Sequence, residues 1–186
     1  RGAPPRPPPE TGAAPGIGRA LAAGAPRDGW LVHVLDLDPD GAAATVDLAR
    51  QAGGDGRAHV LDVTDAAAVA AAVGTVAESG PPLRGLFAGA GIDLGGAAHE
   101  LDPATWRRVL DVNVTGTFLV VREVLRAMID GDGGSVVLCG SPAATVGFAA
   151  GGATGYGASK GAVSSRVRTL AVGDARPGVR GGAGGA

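Results

Sequence analysis

Short apolar runs alternate with longer segments of helical pattern along most of the chain. The apolar runs predict strands at residues 30–35, 58–61, 83–88 and 135–139. The longer segments predict helices at residues 16–25, 40–52, 64–78, 103–129 and 156–172, and Thr64 is the expected cap of the third helix. Apolar strands separated by helices indicate a parallel sheet with helices on both faces. The pattern therefore predicts a doubly wound α/β fold with right-handed crossovers.

This pattern stops at both ends of the chain. Residues 1–10 (RGAPPRPPPE) contain five prolines and are expected to form an extended tail without packed structure. Residues 181–186 (GGAGGA) are expected to be a Gly-rich tail. A length of 186 residues suits one domain. We place that domain at residues 11–180.

Composition and charge exclude several classes of protein. The chain has 16 basic and 18 acidic residues, a net charge of −2 and no basic run, so a nucleic-acid partner is not expected. No apolar stretch is long enough to span a bilayer, so a membrane partner is not expected either. Cys139 is a lone cysteine and the three histidines are scattered, so we expect no disulfide and no metal, and a reducing cytoplasm. Because the chain begins at Arg1 without Met, a removed leader stays open.

A glycine-rich loop precedes the first predicted helix. It reads TGAAPGIG, and glycines at 12, 16 and 18 would let backbone amides at a helix N-terminus approach a pyrophosphate. With 34 glycines in the chain, a glycine-rich turn without a ligand is about as good an interpretation. Asp36 favours the functional interpretation, because a carboxylate at the end of the next strand can accept both adenosine ribose hydroxyls. It would also repel the extra phosphate of NADP, and neither Pro15 nor Leu37 is basic, so NAD is the expected cofactor.

Tyr156 and Lys160 are the only tyrosine and the only lysine, and they stand four residues apart on one face of a predicted helix. That offset arises by chance roughly once in two hundred placements. Every other cation is Arg, so an ammonium at position 160 indicates a specific requirement. A phenol is a poor acid–base group near neutrality, and an adjacent cation favours its phenolate.

Asn113 and Ser141 are weaker candidates by themselves. Asn113 is the only asparagine and lies inside an apolar predicted helix, where its side chain needs a partner or a function. Ser141 follows the fourth predicted strand, at the edge where open α/β sheets bind ligands. An ordinary turn or cap would explain Ser141 equally well.

Together these motifs resemble the short-chain dehydrogenase/reductase family, in order and approximate spacing, from Thr11 to about Arg180. The resemblance implies a Rossmann-like fold and hydride transfer between NAD and a secondary alcohol or ketone, without a metal. It implies that Tyr156 is the acid–base residue, that Lys160 lowers its pKa and holds the nicotinamide ribose, that Ser141 orients the substrate oxygen and that Asn113 positions a relay water. The implied cofactor contacts are Gly12, Gly16, Ile17, Gly18, Asp36, Asp62, Val63, Ala90, Gly91, Asn113, Tyr156 and Lys160.

The sequence departs from the family at three places. Prolines at 4, 5, 7, 8 and 9 occupy the positions of a buried first strand, which proline cannot form. The Asn-Asn-Ala-Gly turn of the family is here Ala88-Gly89-Ala90-Gly91, and GGAGGA stands where a further strand and the substrate lid would follow. We therefore expect the first and last strands to be missing or degraded, in a chain that is fragmentary at both ends.

Three functions stay open on this basis. The first is an active NAD-dependent dehydrogenase, and the second is a remnant that folds poorly or binds nucleotide without turnover. The third is an interaction module built on the apolar helices at 104–129 and 156–172, which in the family pack as an interface between subunits and here predict a homodimer or homotetramer. Substrate identity is not predicted.

Overall fold

The computed structural model describes residues 16–24, 31–131, 133–148, 152–172 and 178–184. Five strands alternate with helices in the described part: β1 Leu31–Asp36, β2 Asp55–Val60, β3 Gly85–Ala88, β4 Gly134–Cys139 and β5 Val179–Gly184. The helices are α1 Ile17–Gly24, α2 Pro39–Gln51, α3 Ala66–Glu78, α4 Pro103–Leu110, α5 Thr117–Asp130 and α6 Thr154–Val172. The predicted alternation of strands and helices is confirmed.

All recorded strand pairs are parallel. β1 pairs with β2 in register Leu31 to Asp55, and the second sheet has the order β3-β4-β5. Successive side chains of β1 point to opposite faces, and both faces are covered by helices. Val34 packs with Ala42 and Val46 of α2, whereas Leu35 packs against the main core. The doubly wound α/β prediction is therefore confirmed.

The main core lies between the helices α3, α5 and α6 and the strands β4 and β5. Its most buried members are Val69, Val121, Met128, Val136 and Leu138. A separate small cluster of Ile92, Val109 and Val112 lies where the loop after β3 meets α4. This second cluster supports the residues from which the candidate site is built.

Helices α2 and α3 each begin after an aspartate that caps the helix N-terminus. Asp38 caps α2 by accepting the Asp40 amide at 3.1 Å, and Pro39 occupies the first turn, where it loses no hydrogen bond. The cap of α3 is Asp65, whose carboxylate accepts two amides at 2.9 and 3.0 Å, so the prediction of Thr64 as the cap is wrong. Thr64 instead donates its hydroxyl to Asp62 at 2.7 Å.

The long helix predicted at 103–129 is observed as one continuous helix, residues 103–130, that contains a π-helical segment. α4 runs into the segment Asp111–Gly116, which runs into α5. A π-helical segment widens one turn of the helix and is frequent at functional sites. Asn113 lies within it.

The C-terminal prediction needs correction. Residues 181–184, assigned to a Gly-rich tail, continue β5 and pair with β4 through Cys139 to Gly184. A Cβ at Gly181 would lie 3.3 Å from the Leu170 side chain, so helix α6 packs closely on this strand. The prediction of a degraded first strand, and Gly12 of the glycine loop, fall outside the described residues. No helix in the described ranges is long and apolar enough to cross a membrane.

Candidate active site

The candidate residues lie at the carboxyl ends of the parallel strands. Asp36 ends β1, Asp62 follows β2, Gly91 follows β3 and Ser141 follows β4. The carboxyl ends of parallel strands meet at one edge of a sheet, where open α/β folds bind ligands. Ile17 and Gly18 begin α1, and Gly16 before them has φ +95°, a conformation that glycine adopts readily.

Asn113 makes three side-chain hydrogen bonds in the interior. Its side chain is 1% exposed, its Oδ1 accepts the Ile92 amide at 2.8 Å, and its Nδ2 donates to the Ile92 carbonyl oxygen at 3.0 Å. A Cβ at Gly91 would lie 3.2 Å from Oδ1, so a side chain there would crowd this contact. Asn113 therefore braces the loop that carries Ala90 and Gly91.

Ser159 connects this brace to helix α6, and sequence reasoning missed it. It is fully buried; its Oγ accepts a hydrogen bond from Asn113 Nδ2 at 2.9 Å and donates one to the Tyr156 carbonyl oxygen at 2.7 Å. The signal available in the sequence was a serine three residues after Tyr156 and next to Lys160. A serine donating to the carbonyl one turn back is common in helices, so that signal gave no hint of the contact with Asn113.

Lys160 is 5% exposed and points to the end of β4. Its Nζ donates to the Cys139 carbonyl oxygen at 2.8 Å and lies 5.4 Å from the centre of the Tyr156 ring. Burial lowers the pKa of Lys160, although the Cys139 thiol opposes this effect. The ammonium therefore stands beside the phenol ring and is fixed by the backbone of the strand.

Tyr156 is half-buried in the first turns of α6. Burial raises the pKa of its phenol above 10, and a side-chain hydrogen bond with Ser141 acts in the opposite direction. Cys139 and Asp93 raise the pKa further through their charges. The Ser141 hydroxyl also accepts the Ala143 amide at 3.2 Å, so Ser141 is both a turn cap and a neighbour of Tyr156.

The structure thus brings Asn113, Ser141, Tyr156 and Lys160 together, although they come from three different parts of the chain. Two come from α6, one from the π-helical segment and one from the turn after β4. The phenol of Tyr156 can exchange a proton, and the hydroxyl of Ser141 can bind a substrate oxygen. Lys160 supplies a positive charge beside the phenol.

The acidic residues predicted for cofactor contact end two neighbouring strands. Asp36 is 2% exposed; its Oδ1 accepts the Asp38 amide at 3.0 Å, and its backbone oxygen accepts the Leu61 amide at 3.0 Å. The Asp62 carboxylate accepts both the amide and the hydroxyl of Thr64 through Oδ1. These bonds, with a smaller contribution from Arg108 at 3.8 Å from Oδ2, hold the pKa of Asp62 below its usual value despite its burial.

Val63 lies against the π-helical segment. A Cβ at Gly116 would lie 2.6 Å from Val63 Cγ2, so the glycine allows the loop after β2 to approach the helix of Asn113.

Comparison with known proteins agrees with this arrangement. The family model described as short chain dehydrogenase matches residues 10–181. The chain belongs to the short-chain dehydrogenase family. The relatives that the chain matches are themselves dehydrogenases.

Two curated relatives of this short-chain dehydrogenase act on different alcohols. One is the 2-(S)-hydroxypropyl-CoM dehydrogenase 3 of Xanthobacter autotrophicus, 37% identical over 91% of this chain and 66% of the relative. Another is the L-tagatose-forming galactitol 2-dehydrogenase of Cereibacter sphaeroides, 40% identical over 91% of this chain and 66% of the relative. The chain therefore spans about two thirds of the length of these relatives.

A solved structure of NAD+-bound xylitol dehydrogenase superposes on this chain. Its TM-score is 0.87 at 30% identity, covering 92% of this chain and 65% of the other. The fold predicted by the resemblance is therefore confirmed.

Proposed function

We propose that this protein is an NAD-dependent dehydrogenase of secondary alcohols in which Tyr156 is the general acid–base residue. The observation that supports this most directly is the meeting of Tyr156, Lys160, Ser141 and Asn113 at the end of β4, because each group has the chemistry that the proposed reaction needs. The similarity to galactitol 2-dehydrogenase supports a polyol as the substrate.

In the oxidative direction, the phenolate of Tyr156 takes the proton of the substrate hydroxyl while the carbinol carbon loses a hydride, which leaves a ketone. The nicotinamide of NAD supplies the hydride acceptor when it is bound. Ser141 orients the substrate oxygen through its hydroxyl, and Lys160 stabilises the phenolate electrostatically. That stabilisation must overcome the burial that raises the pKa of Tyr156. Asn113 holds the loop after β3 and, as the family resemblance implies, positions a relay water.

The described residues fit a dinucleotide. Gly16 turns the backbone into α1, Asp36 ends β1 with a carboxylate, and Gly91 lets the loop after β3 approach Asn113 closely. In the proposed complex, Gly12, Gly16, Ile17 and Gly18 hold the pyrophosphate, Asp36 accepts the ribose hydroxyls and Lys160 holds the nicotinamide ribose. Asp62 and Val63 contact the adenine, and Ala90 lies along the cofactor. NAD is proposed over NADP because Asp36 repels an added phosphate.

Thermal unfolding with saturating NADH or NADPH tests this proposal, because a ligand that binds the folded state raises the melting temperature. NADH should raise the melting temperature more than NADPH does. The Asp36→Ser variant should show a smaller difference between the two shifts. Alcohol oxidation followed by NADH absorbance then tests turnover. A chain that shows no shift with either cofactor would refute the proposal.

A second candidate, a nucleotide binder without turnover, is favoured by Ala88-Gly89 in place of two asparagines. Gly89 lies against the ring of Phe87, which would have to shift to admit a Cβ, so the loop has no side-chain brace at this position. An NADH-dependent shift with no turnover of any secondary alcohol would favour this candidate.

Assembly and compartment belong to the proposal as well. We propose a homodimer or homotetramer through residues 104–129 and 156–172, where Phe118 of α5 is partly exposed between the guanidinium groups of Arg122 and Arg166 at 5.6 and 4.8 Å. Light scattering tests this assembly. A cytoplasmic location stays a prediction from the single cysteine.

A further inference from the structure

The loop after β3 is held at both ends. At one end, Asn113 binds the amide and carbonyl of Ile92 at 2.8 and 3.0 Å. At the other end, the Gly96 amide donates to the Gly152 carbonyl oxygen at 2.9 Å, and Gly96 forms a parallel bridge with Ala153. Asp93 lies between these two anchors and cannot move far from them.

The second anchor consists of Gly152 and Ala153, the residues that immediately precede helix α6. The Thr154 hydroxyl donates to the Gly96 carbonyl oxygen at 3.1 Å, and α6 begins at Thr154. Gly95 packs so closely on Gly152 that a Cβ would clash with its carbonyl oxygen. Tyr156 lies in the first turn of α6, so these contacts hold the backbone on both sides of Asp93 against the segment that carries the phenol.

Among the described residues, two negative charges act on the phenol of Tyr156. Asp93 is exposed and has no hydrogen bond or ion pair within the described ranges. After burial, which is the main cause, the charges of Cys139 and Asp93 both raise the pKa of Tyr156. Lys160 is the cation beside the ring, and its Nζ is already bonded to the Cys139 backbone. A molecule that reaches the phenol therefore meets an unpaired carboxylate.

We propose that Asp93 is a specificity-determining residue, which selects secondary alcohols with a hydrogen-bond donor on the carbon next to the reacting carbinol and rejects those with a negative charge there. This inference rests on the proposed dehydrogenase function. An ionised carboxylate only accepts hydrogen bonds, so it pairs with a neighbouring hydroxyl or ammonium. It repels a neighbouring carboxylate, which gives specificity through an unfavourable contact with the wrong substrate.

Four three-carbon secondary alcohols test the proposal, because they differ at the neighbouring carbon alone. Isopropanol has a methyl group there, propylene glycol a hydroxymethyl group, lactate a carboxylate and isopropanolamine an aminomethyl group that is protonated near neutrality. With NAD, kcat/KM should be highest for the two donors and lowest for lactate. Isopropanolamine above propylene glycol would identify ammonium groups as the preferred donor, and the reverse order would identify hydroxyl groups.

Asp93→Asn should raise kcat/KM for lactate relative to isopropanol by roughly tenfold, and Asp93→Lys should raise it further. The matched control is Asp130→Asn, which removes the same charge from an exposed residue at the end of α5, just before β4 begins. Tyr156 lies beyond the opposite end of β4, so the control should leave the ratio unchanged. A ratio that Asp93→Asn and Asp130→Asn leave equally unchanged would overturn the proposal.

A titration that needs no turnover separates this inference from the proposed function. Tyr156 is the only tyrosine, so ultraviolet absorbance of tyrosinate against pH reports its phenol alone. Asp93→Asn should lower the pKa of Tyr156, because a negative charge that disfavours the phenolate is removed, and Asp130→Asn should not. An unchanged midpoint in Asp93→Asn overturns the placement of Asp93. A lowered midpoint in a chain that binds no NADH refutes the proposed function and, with it, the substrate preference.

Discussion

The side chain of Asn113 and that of Ser159, 46 residues later, share a buried hydrogen bond of 2.9 Å. The Ser159 hydroxyl also donates a hydrogen bond to the Tyr156 carbonyl oxygen at 2.7 Å, and Asn113 Oδ1 accepts one from the Ile92 amide. The loop after β3 and the first turn of α6 are therefore connected through the side chains of Asn113 and Ser159. In the proposed enzyme, this tie keeps the cofactor-lining loop and the acid–base residue in fixed relation.

Ser159→Ala should destabilise the fold by about 1–3 kcal/mol, because a buried donor on Asn113 loses a partner. Ser165→Ala is the control, since Ser165 is exposed on the same helix and gains the same helix propensity from alanine. Urea unfolding measures both variants. Equal free energies of unfolding for the two would show that the Asn113–Ser159 bond contributes nothing to stability.

Tyr156→Phe should lower turnover by roughly a factor of one hundred to ten thousand and leave NADH binding intact, since the ring stays while the exchangeable proton is lost. Steady-state kinetics and the NADH-dependent melting shift measure the two effects. Turnover at the level of the unmodified chain would remove Tyr156 from the mechanism.

The pair His33 and His59 should make the fold sensitive to acid. The Nδ1 atom of His33 lies 3.0 Å from Nε2 of His59 on the neighbouring strand. The pKa of each is lowered, first by burial; for His33 the charges of His59 and Arg57 add to this, and for His59 that of Arg57. The unfolded chain therefore takes up protons that the folded chain resists. The stability that results is present above the unfolded value of about 6.5 and is lost as the pH falls below it.

Urea midpoints at about pH 7.5 and about pH 5 measure this loss. The decrease should be smaller in His33→Gln than in the unmodified chain. His99→Gln is the control, because His99 is exposed and contacts Glu100 alone among its recorded ion pairs. If all three chains lose the same stability, the histidine pair is not the cause.

Gly116→Ala should destabilise the fold by about 1–3 kcal/mol, because its Cβ would stand 2.6 Å from Val63 Cγ2 in a packed interior. Gly74→Ala, in the middle of α3 with no heavy atom near the added Cβ, should instead stabilise it by roughly 0.5–1 kcal/mol. Differential scanning calorimetry compares the two. A Gly116→Ala variant as stable as Gly74→Ala would mean that the loop after β2 can move away from the helix.

Local patterns predicted much of the fold, and tertiary contacts account for the differences. The helix at 103–129 was predicted from its periodicity, but its π-helical segment was not, because apolar periodicity does not mark where one turn widens. Asn113, within that segment, bonds to Ile92 and Ser159, which are distant in the chain. The strand at 181–184 was missed because glycines carry no apolar signal and weaken strands. It forms because β4 supplies hydrogen bonds on one side and Leu170 of α6 packs on it closely.

The sequence by itself determined the order of strands and helices and the placement of Tyr156 and Lys160 on one helix face, because both depend on spacing along the chain. It also singled out Asn113 as a polar residue that needed partners. The tertiary structure decided which residues those partners are, that the charge of Asp93 acts on the phenol of Tyr156 and where Lys160 Nζ is held. The hydrogen bonds join residues 21 to 46 positions apart, and no local period relates such positions, so they exist only once the strands and helices have packed.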